Sequence, residues 1–141
     1  MLQRDLILRL VQDMARLLAR ALGLRKQGLT EQAVREVEAG AASLLGLELG
    51  VVAAVDAATI ARQLGQPARM AALARLVSLR ADLADDTGDL AAALWRRRAV
   101  ELWLEAAAAG ELLDDDALRH VAVHPRDDLG PRQRKLREAI G

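Results

Sequence analysis

The sequence predicts an all-α protein of stacked antiparallel helical hairpins, with about six or seven helices in a single domain. Composition is the first observation: 29 of the 141 residues are Ala and 27 are Leu, the two strongest helix formers. The second is that glycines follow stretches whose apolar residues recur every three or four positions. The third is the lack of Phe and Tyr, since β-sandwiches and barrels favour aromatic and β-branched side chains in their strands.

The charge balance and the lack of cysteine argue against several functional classes. The chain has no cysteine, which excludes a disulfide-stapled domain, thiolate chemistry and a cysteine-based metal site. Its 20 basic and 20 acidic residues cancel, which argues against a dedicated nucleic-acid or acidic-membrane protein.

The apolar segments are too short or too interrupted to cross a membrane. The longest charge-free run, 39–47, is well below the length that spans a bilayer. Asp5, Arg9 and Asp13 break up the N-terminal apolar segment, so it does not read as a signal peptide. We therefore expect a cytoplasmic protein with no membrane partner. The excess of Arg over Lys, with abundant Ala, fits a bacterial genome rich in G and C.

The first hairpin is predicted at about 2–45. Its first helix, about 2–27, has an apolar surface wide enough to need neighbours on two sides. Thr30 is the predicted N-cap of the second helix, about 30–45, with Glu31 in its first turn, where a negative charge complements the helix dipole. The polar stripe of the first helix consists of Asp5, Arg9, Gln12, Asp13, Arg16 and Arg20.

A linker with a short helix, 46–66, separates the hairpins. The segment 46–55 is compatible with either a short helix or an irregular apolar crossing. Asp56 is predicted to cap a short helix at about 57–64, which Gly65 and Pro67 end.

The second hairpin is predicted at about 68–109, with helices at about 68–86 and 89–109. Trp95 and Trp103, the only aromatic residues other than histidine, lie on the apolar stripe of the second of these helices and are expected in the core. The C-terminal segment 110–141 is expected to hold one short helix, a polar loop and a final helix of modest length at 131–140.

An internal repeat relates the two hairpins at a displacement of 60 residues. The shift brings Leu17 onto Val77 and Gly28 onto Gly88. Helix–turn–helix units that stack in register are typical of helical solenoids. The other aligned pairs are Arg20 with Arg80, Ala21 with Ala81, Ala33 with Ala93, Val34 with Leu94, Ala39 with Ala99, and Leu44 with Leu104.

The run Ala21, Leu24, Gly28 and Ala33 resembles the tetratricopeptide pattern of small residue, large residue, turn glycine and small residue. The second hairpin matches less well, at Ala81, Ala84, Gly88 and Ala93, and both have Arg (Arg20, Arg80) where the motif has Leu. The whole chain is similar to a small bacterial family of tetratricopeptide-like helical proteins, most clearly in its opening segment 2–10. This resemblance implies a fold and supplies no activity. The resemblance implies a partner groove lined by the first helix of each hairpin, including Leu18, Leu22, Arg25, Arg75, Ser78 and Asp82.

The best metal candidate is the set Asp116, His120 and His124. Their spacing of four residues would align them on one helix face, preceded by Asp114 and Asp115, and such ligands suit Zn or Mn. The structural alternative is an acidic helix start followed by exposed histidines, with the helix ended by Pro125. We favour the structural alternative and predict no metal site.

Motifs for catalysis and for cofactor binding are missing. Ser43 and Ser78, the only serines, lie within predicted helices, outside any nucleophile elbow. The adjacent acids at 85–86 and 114–116 are better explained as turn and capping residues than as an acid–base pair. The sequence contains no glycine-rich phosphate loop. We therefore predict no catalytic residue and no cofactor.

Two arginine clusters point to nucleic-acid binding as an alternative function. Arg96, Arg97 and Arg98 adjoin Trp95, and Arg with Trp is a combination that meets phosphate and bases. The i, i+4 spacing of Arg97 and Glu101 instead favours a solvated helix face. Nearby acidic residues partly cancel the positive charge of the second cluster, which consists of Arg132, Arg134, Lys135 and Arg137.

The sequence thus favours a non-enzymatic protein–protein interaction or structural module. We expect its partner to be another protein or a second copy, in a homodimer through helix one, because large exposed apolar patches are uncommon on monomers. The alternatives are a small metal-dependent hydrolase using Asp116, His120 and His124, and a weak nucleic-acid binder.

Overall fold

The computed structural model describes residues 2–140 and is all-α over that range, as predicted. It contains eight α-helices and one short 3-10 helix, with no strand among these residues. The count exceeds the expected six or seven because the ambiguous segment 46–55 does form a helix. The helices are α1 Leu2–Lys26, α2 Thr30–Leu45, α3 Leu49–Ala54, α4 Ala57–Leu64, α5 Pro67–Asp86, α6 Ala92–Ala108, α7 Asp115–Val123 and α8 Pro131–Ile140, with the 3-10 helix at Arg126–Asp128.

Helices α1 and α2 form an antiparallel hairpin that packs through small residues. Ala21 and Ala33 are fully buried, one on each helix. Gly40 of α2 lies so close to α1 that a methyl group on its Cα would overlap Cδ2 of Leu17. Glycine at this position therefore lets Leu17 pack directly on the backbone of α2.

The start of α2 differs from the prediction in one detail. Thr30 is the first helical residue and not the N-cap, because the carbonyl of Leu29 already accepts the N–H of Ala33 at 3.0 Å. Asp56, in contrast, caps α4 as predicted, and its carboxylate accepts the N–H of Thr59 at 3.0 Å.

The turns of the two hairpins share one hydrogen-bond pattern at the 60-residue displacement. Each contains a glycine in the left-handed region, Gly28 with φ 77° and Gly88 with φ 70°. In both, the next residue donates its N–H to the carbonyl five positions earlier at 2.9 Å. This arrangement satisfies carbonyls at the end of the first helix and reverses the chain in the same way twice.

The 60-residue repeat predicts matching burial in the first helix of each hairpin but not in the second helix. Leu17 and Val77 are both buried, whereas Ala33 is buried and its aligned partner Ala93 is exposed. The difference arises in the longer second turn, where Asp89 accepts the N–H of Ala91 at 2.9 Å before α6 begins.

The two hairpins pack side by side through α5, which contacts both α2 and α1. The carboxyl ends of α1 and α5 meet where Arg25 is paired with Asp82 and Asp86. Met14 of α1 and Ala71 of α5 share a cavity nearer the amino ends. The two helices therefore run in the same direction, and α1 has neighbours on two sides, as predicted.

Helix α6 is the centre of the fold. It packs against α5 and against the short helices α3, α4, α7 and α8. Trp103 is 1% exposed and Trp95 8% exposed, so both belong to the core, as predicted. No helix within 2–140 combines the length and the apolar character needed to cross a bilayer.

Candidate functional site

An apolar groove lies between α1 and α5 and is closed on its other side by the segment that leads into α7. Its volume is about 420 Å³, within the range of ligand sites. Most of its accessible lining is apolar. The lining residues are Ile7, Val11, Met14, Ala15 and Leu18 from α1; Ala68, Ala71, Ala72 and Arg75 from α5; Trp103 from α6; and Glu111, Leu112, Leu113, Asp114 and Ala117 from the α7 side.

The α1 wall exists because this helix has two neighbouring apolar stripes. Met14 and Leu17, on the first stripe, are buried against the body of the protein. Leu8, Val11 and Leu22 are on the second and are 53%, 55% and 42% exposed. Helical spacing puts these three side chains on one face of α1. Their exposure shows that no other helix within 2–140 covers that face.

The α5 wall is low because its side chains are small. Ala68, Ala71 and Ala72 are half-buried and leave space above the helix. Beneath them the indole of Trp103 forms part of the floor, 5.3 Å from the ring of His120. The guanidinium of Arg75 lies 6.0 Å from the Trp103 ring, at the outer limit of a cation–π contact.

The α7 wall is acidic at its rim. Asp114 caps α7 by accepting the N–H of Ala117 at 2.8 Å. Arg75 is paired with Asp114 and lies 3.4 Å from Asp116. Glu111 makes no ion pair within the described residues. The rim therefore carries more negative than positive charge.

The six predicted groove residues are distributed along α1 and α5, and two of them line the cavity. Leu18 and Arg75 are in its walls. Arg25 and Asp82 are 3.8 Å apart and link the two helices at their carboxyl ends, while Ser78 is half-buried. Leu22 is exposed on the second apolar stripe.

Sequence reasoning missed the far wall of the groove. Leu112 is 93% exposed and lines the cavity. The adjacent apolar pair Leu112 and Leu113 was a usable signal, since only Leu113 is buried. Their position opposite α1 depends on how the C-terminal segment packs on α6, which periodicity does not report.

The aspartate and histidine side chains at 114–124 do not come together around one point where a metal ion could bind. His120 Nδ1 lies 2.8 Å from the backbone oxygen of Asp116. The α7 helix ends at Val123, so His124 leaves the common face and its Nε2 lies 2.7 Å from Asp128 Oδ2. Among residues 2–140, no group of three or more His, Asp or Glu side chains is placed to hold a metal ion.

The arginines of the first cluster are engaged by acids of the same chain. Arg96 is paired with Asp85, and Arg97 lies 3.5 Å from Asp128. Glu101 is bonded to Arg98 at 2.9 Å, so the expected pairing of Arg97 with Glu101 is wrong. The i, i+3 pair forms because both of its side chains turn into the packed side of α6, where burial raises the pKa of Glu101.

The second arginine cluster holds the C-terminal segment in place. Arg132 donates two hydrogen bonds to Glu105, at 2.8 and 2.7 Å, and Gln133 donates a third at 2.7 Å. Burial by itself raises the pKa of Glu105, but the bonds from Arg132 and Gln133 outweigh it and leave that pKa below its ordinary value. Arg137 donates to the carbonyls of Val121 and His124 at the end of α7.

Comparison of the chain with protein-family models, with curated proteins and with solved structures finds no match.

Proposed function

We propose that this protein is a non-enzymatic protein–protein interaction module, and that the groove between α1 and α5 binds one amphipathic helix of a partner chain. The observation that carries the proposal is the second apolar stripe of α1, which lies exposed along the edge of an apolar groove. Large exposed apolar patches on soluble domains commonly mark interaction sites.

The dimensions favour a helix over a compact small molecule. The stripe runs from Leu8 to Leu22, which at about 1.5 Å per residue is about 21 Å of helix. An amphipathic helix docks in such a groove through side chains spaced by three, four and seven residues. The low alanine wall of α5 gives such side chains room, and the floor beneath it includes the buried ring of Trp103.

We further propose that the two hairpins are tetratricopeptide-like units. The shared turn geometry at Gly28 and Gly88 supports this assignment, and so does the parallel course of α1 and α5. In stacked helical hairpins, equivalent helices of successive units line one extended binding surface. The groove lies between α1 and α5, which are the first helices of the two hairpins.

Site-specific photo-crosslinking in cells that express the protein natively tests the proposal. A photoreactive residue replaces Val11 at the groove edge, and in a control chain it replaces Ala122, which is exposed on α7 and does not line the groove. Each chain is also made with a blocking substitution, Ala15→Arg inside the groove, or with the matched Ala42→Arg on the exposed side of α2.

The expected result is a discrete protein adduct at position 11 that is lost with Ala15→Arg and kept with Ala42→Arg. Adducts that form equally at positions 11 and 122, or that survive the Ala15→Arg block, would overturn the groove as the binding site. Far-UV circular dichroism of each purified variant verifies that the helices are intact.

A further inference from the structure

The second apolar stripe of α1 has the shape and chemistry that its own groove would accept. Leu8, Val11 and Leu22 are exposed on it at helical spacing. Arg4 falls on the same face, one turn before Leu8, and is exposed without an ion partner in the described part of the chain. One helix face thus presents an apolar ridge with a positive charge at its amino end.

The groove offers the complementary pattern. Its lining is apolar, and Glu111 is an acid on its far rim that has no ion partner within 2–140. Asp114 beside it is already paired with Arg75. A basic side chain at the end of an apolar ridge would therefore find an uncompensated carboxylate at Glu111.

We infer that the occupant of the groove is α1 of a second copy of this chain, which rests on the groove being the binding site proposed above. Two copies related by a two-fold axis exchange identical contacts, so each α1 lies in the groove of the other. Leu8 and Val11 of one copy pack against the α5 and α7 walls of the other, and Arg4 faces Glu111.

Sedimentation velocity of the full chain across a range of concentrations tests the inference. The wild type is expected to be a dimer at micromolar concentration. Leu8→Arg is expected to give monomer, while Leu6→Arg is expected to keep the dimer. Leu6 is the matched control, because it is a leucine of similar exposure on the opposite face of the same helical turn, away from the second apolar stripe.

A charge exchange tests the predicted contact itself. Glu111→Arg alone is expected to raise the dimer dissociation constant by about tenfold or more, since it sets two positive charges together. The double variant Arg4→Glu with Glu111→Arg is expected to return the constant to within a few-fold of the wild type. If Arg4→Glu and Glu111→Arg each weaken the dimer alone and the double variant does not regain wild-type affinity, the Arg4–Glu111 contact is overturned.

The outcomes separate this inference from the function on which it rests. A wild-type chain that stays monomeric at high micromolar concentration overturns the second copy as occupant. If the position 11 crosslink then joins the chain to a different protein, the groove remains the binding site for another helix. If both the dimer and the position 11 adduct are missing, the proposed function falls as well.

Discussion

Arg25 and Asp86, 61 positions apart, form a two-pronged ion pair that ties the carboxyl end of α1 to that of α5. The guanidinium Nε lies 2.7 Å from Oδ2, and Nη2 lies 3.1 Å from Oδ1. Asp82 lies 3.8 Å from the same guanidinium. This contact fixes the relative position of the two helices that form the groove walls.

Removing either partner should loosen the hairpin junction modestly. We expect Asp86→Asn and Arg25→Gln each to lower the free energy of unfolding by about 0.5–1 kcal/mol, because the pair is partly exposed. A double-mutant cycle by urea denaturation measures the coupling. The result that contradicts the expectation is a double variant whose loss equals the sum of the two single losses.

The same pair makes stability depend on acidity. The hydrogen bond from Arg25 holds the pKa of Asp86 below its ordinary value. A depressed folded-state pKa stabilises the fold above the unfolded-state pKa, and the contribution is lost as pH falls through the folded-state value. The wild type should therefore lose more stability than Asp86→Asn on acidification, which urea denaturation at a series of acidic pH values checks.

The contact of Leu17 with Gly40 should not tolerate a methyl group. Gly40→Ala gains helix propensity, but overpacking against the buried Leu17 side chain should outweigh it, for a net loss of about 1 kcal/mol. Gly23→Ala is the matched control in α1, since nothing lies within 4 Å of an added methyl group there. We expect it to gain about 0.5–1 kcal/mol, so equal effects of the two changes would contradict the close approach.

Glu105 should hold α8 on the body of the protein. Glu105→Ala removes the acceptor for Arg132 and for the buried Gln133, at a cost of about 1–3 kcal/mol. Hydrogen exchange of the α8 amides should accelerate while α5 amides stay protected. Glu138→Ala is the control, because its pair with Arg126 is exposed at 3.6 Å and should contribute little. Equal acceleration in both variants would show that Glu105 does not dock α8.

Local chemistry was enough to predict the fold class and most helix boundaries. Glycines in the left-handed region, such as Gly28 and Gly88, end α1 and reverse the chain after α5 as their sequence positions indicated. The amphipathic pattern also placed Trp95 and Trp103 in the core. These features depend on backbone preference and periodicity, which a single sequence carries.

The parts that were missed depend on tertiary contacts. The wide apolar surface of the first helix was predicted, but the position of Val11 in a groove required knowing that the segment leading into α7 lies opposite. Arg97 and Glu101 are not paired as predicted, because Glu101 turns inward on α6 and is bonded to Arg98. The far wall at Leu112 likewise follows from packing on α6. The adjacent apolar pair Leu112 and Leu113 indicates an apolar surface there but not what lies opposite it.

The two tryptophan indole signals in a proton–nitrogen spectrum give the most direct test that the groove accepts an apolar helix. The probe is a synthetic peptide with the sequence of residues 2–25, and the reference peptide has Leu8→Arg. Both are added to the Leu8→Arg chain, whose groove is expected to be empty because that chain does not form the dimer. Trp103 lines the groove, whereas Trp95 is buried outside it. We expect the Trp103 signal to shift with the first peptide while the Trp95 signal stays fixed, and the reference peptide to move neither signal. An unmoved Trp103 signal at saturating peptide, or equal shifts of both signals, would contradict binding of an apolar helix in the groove.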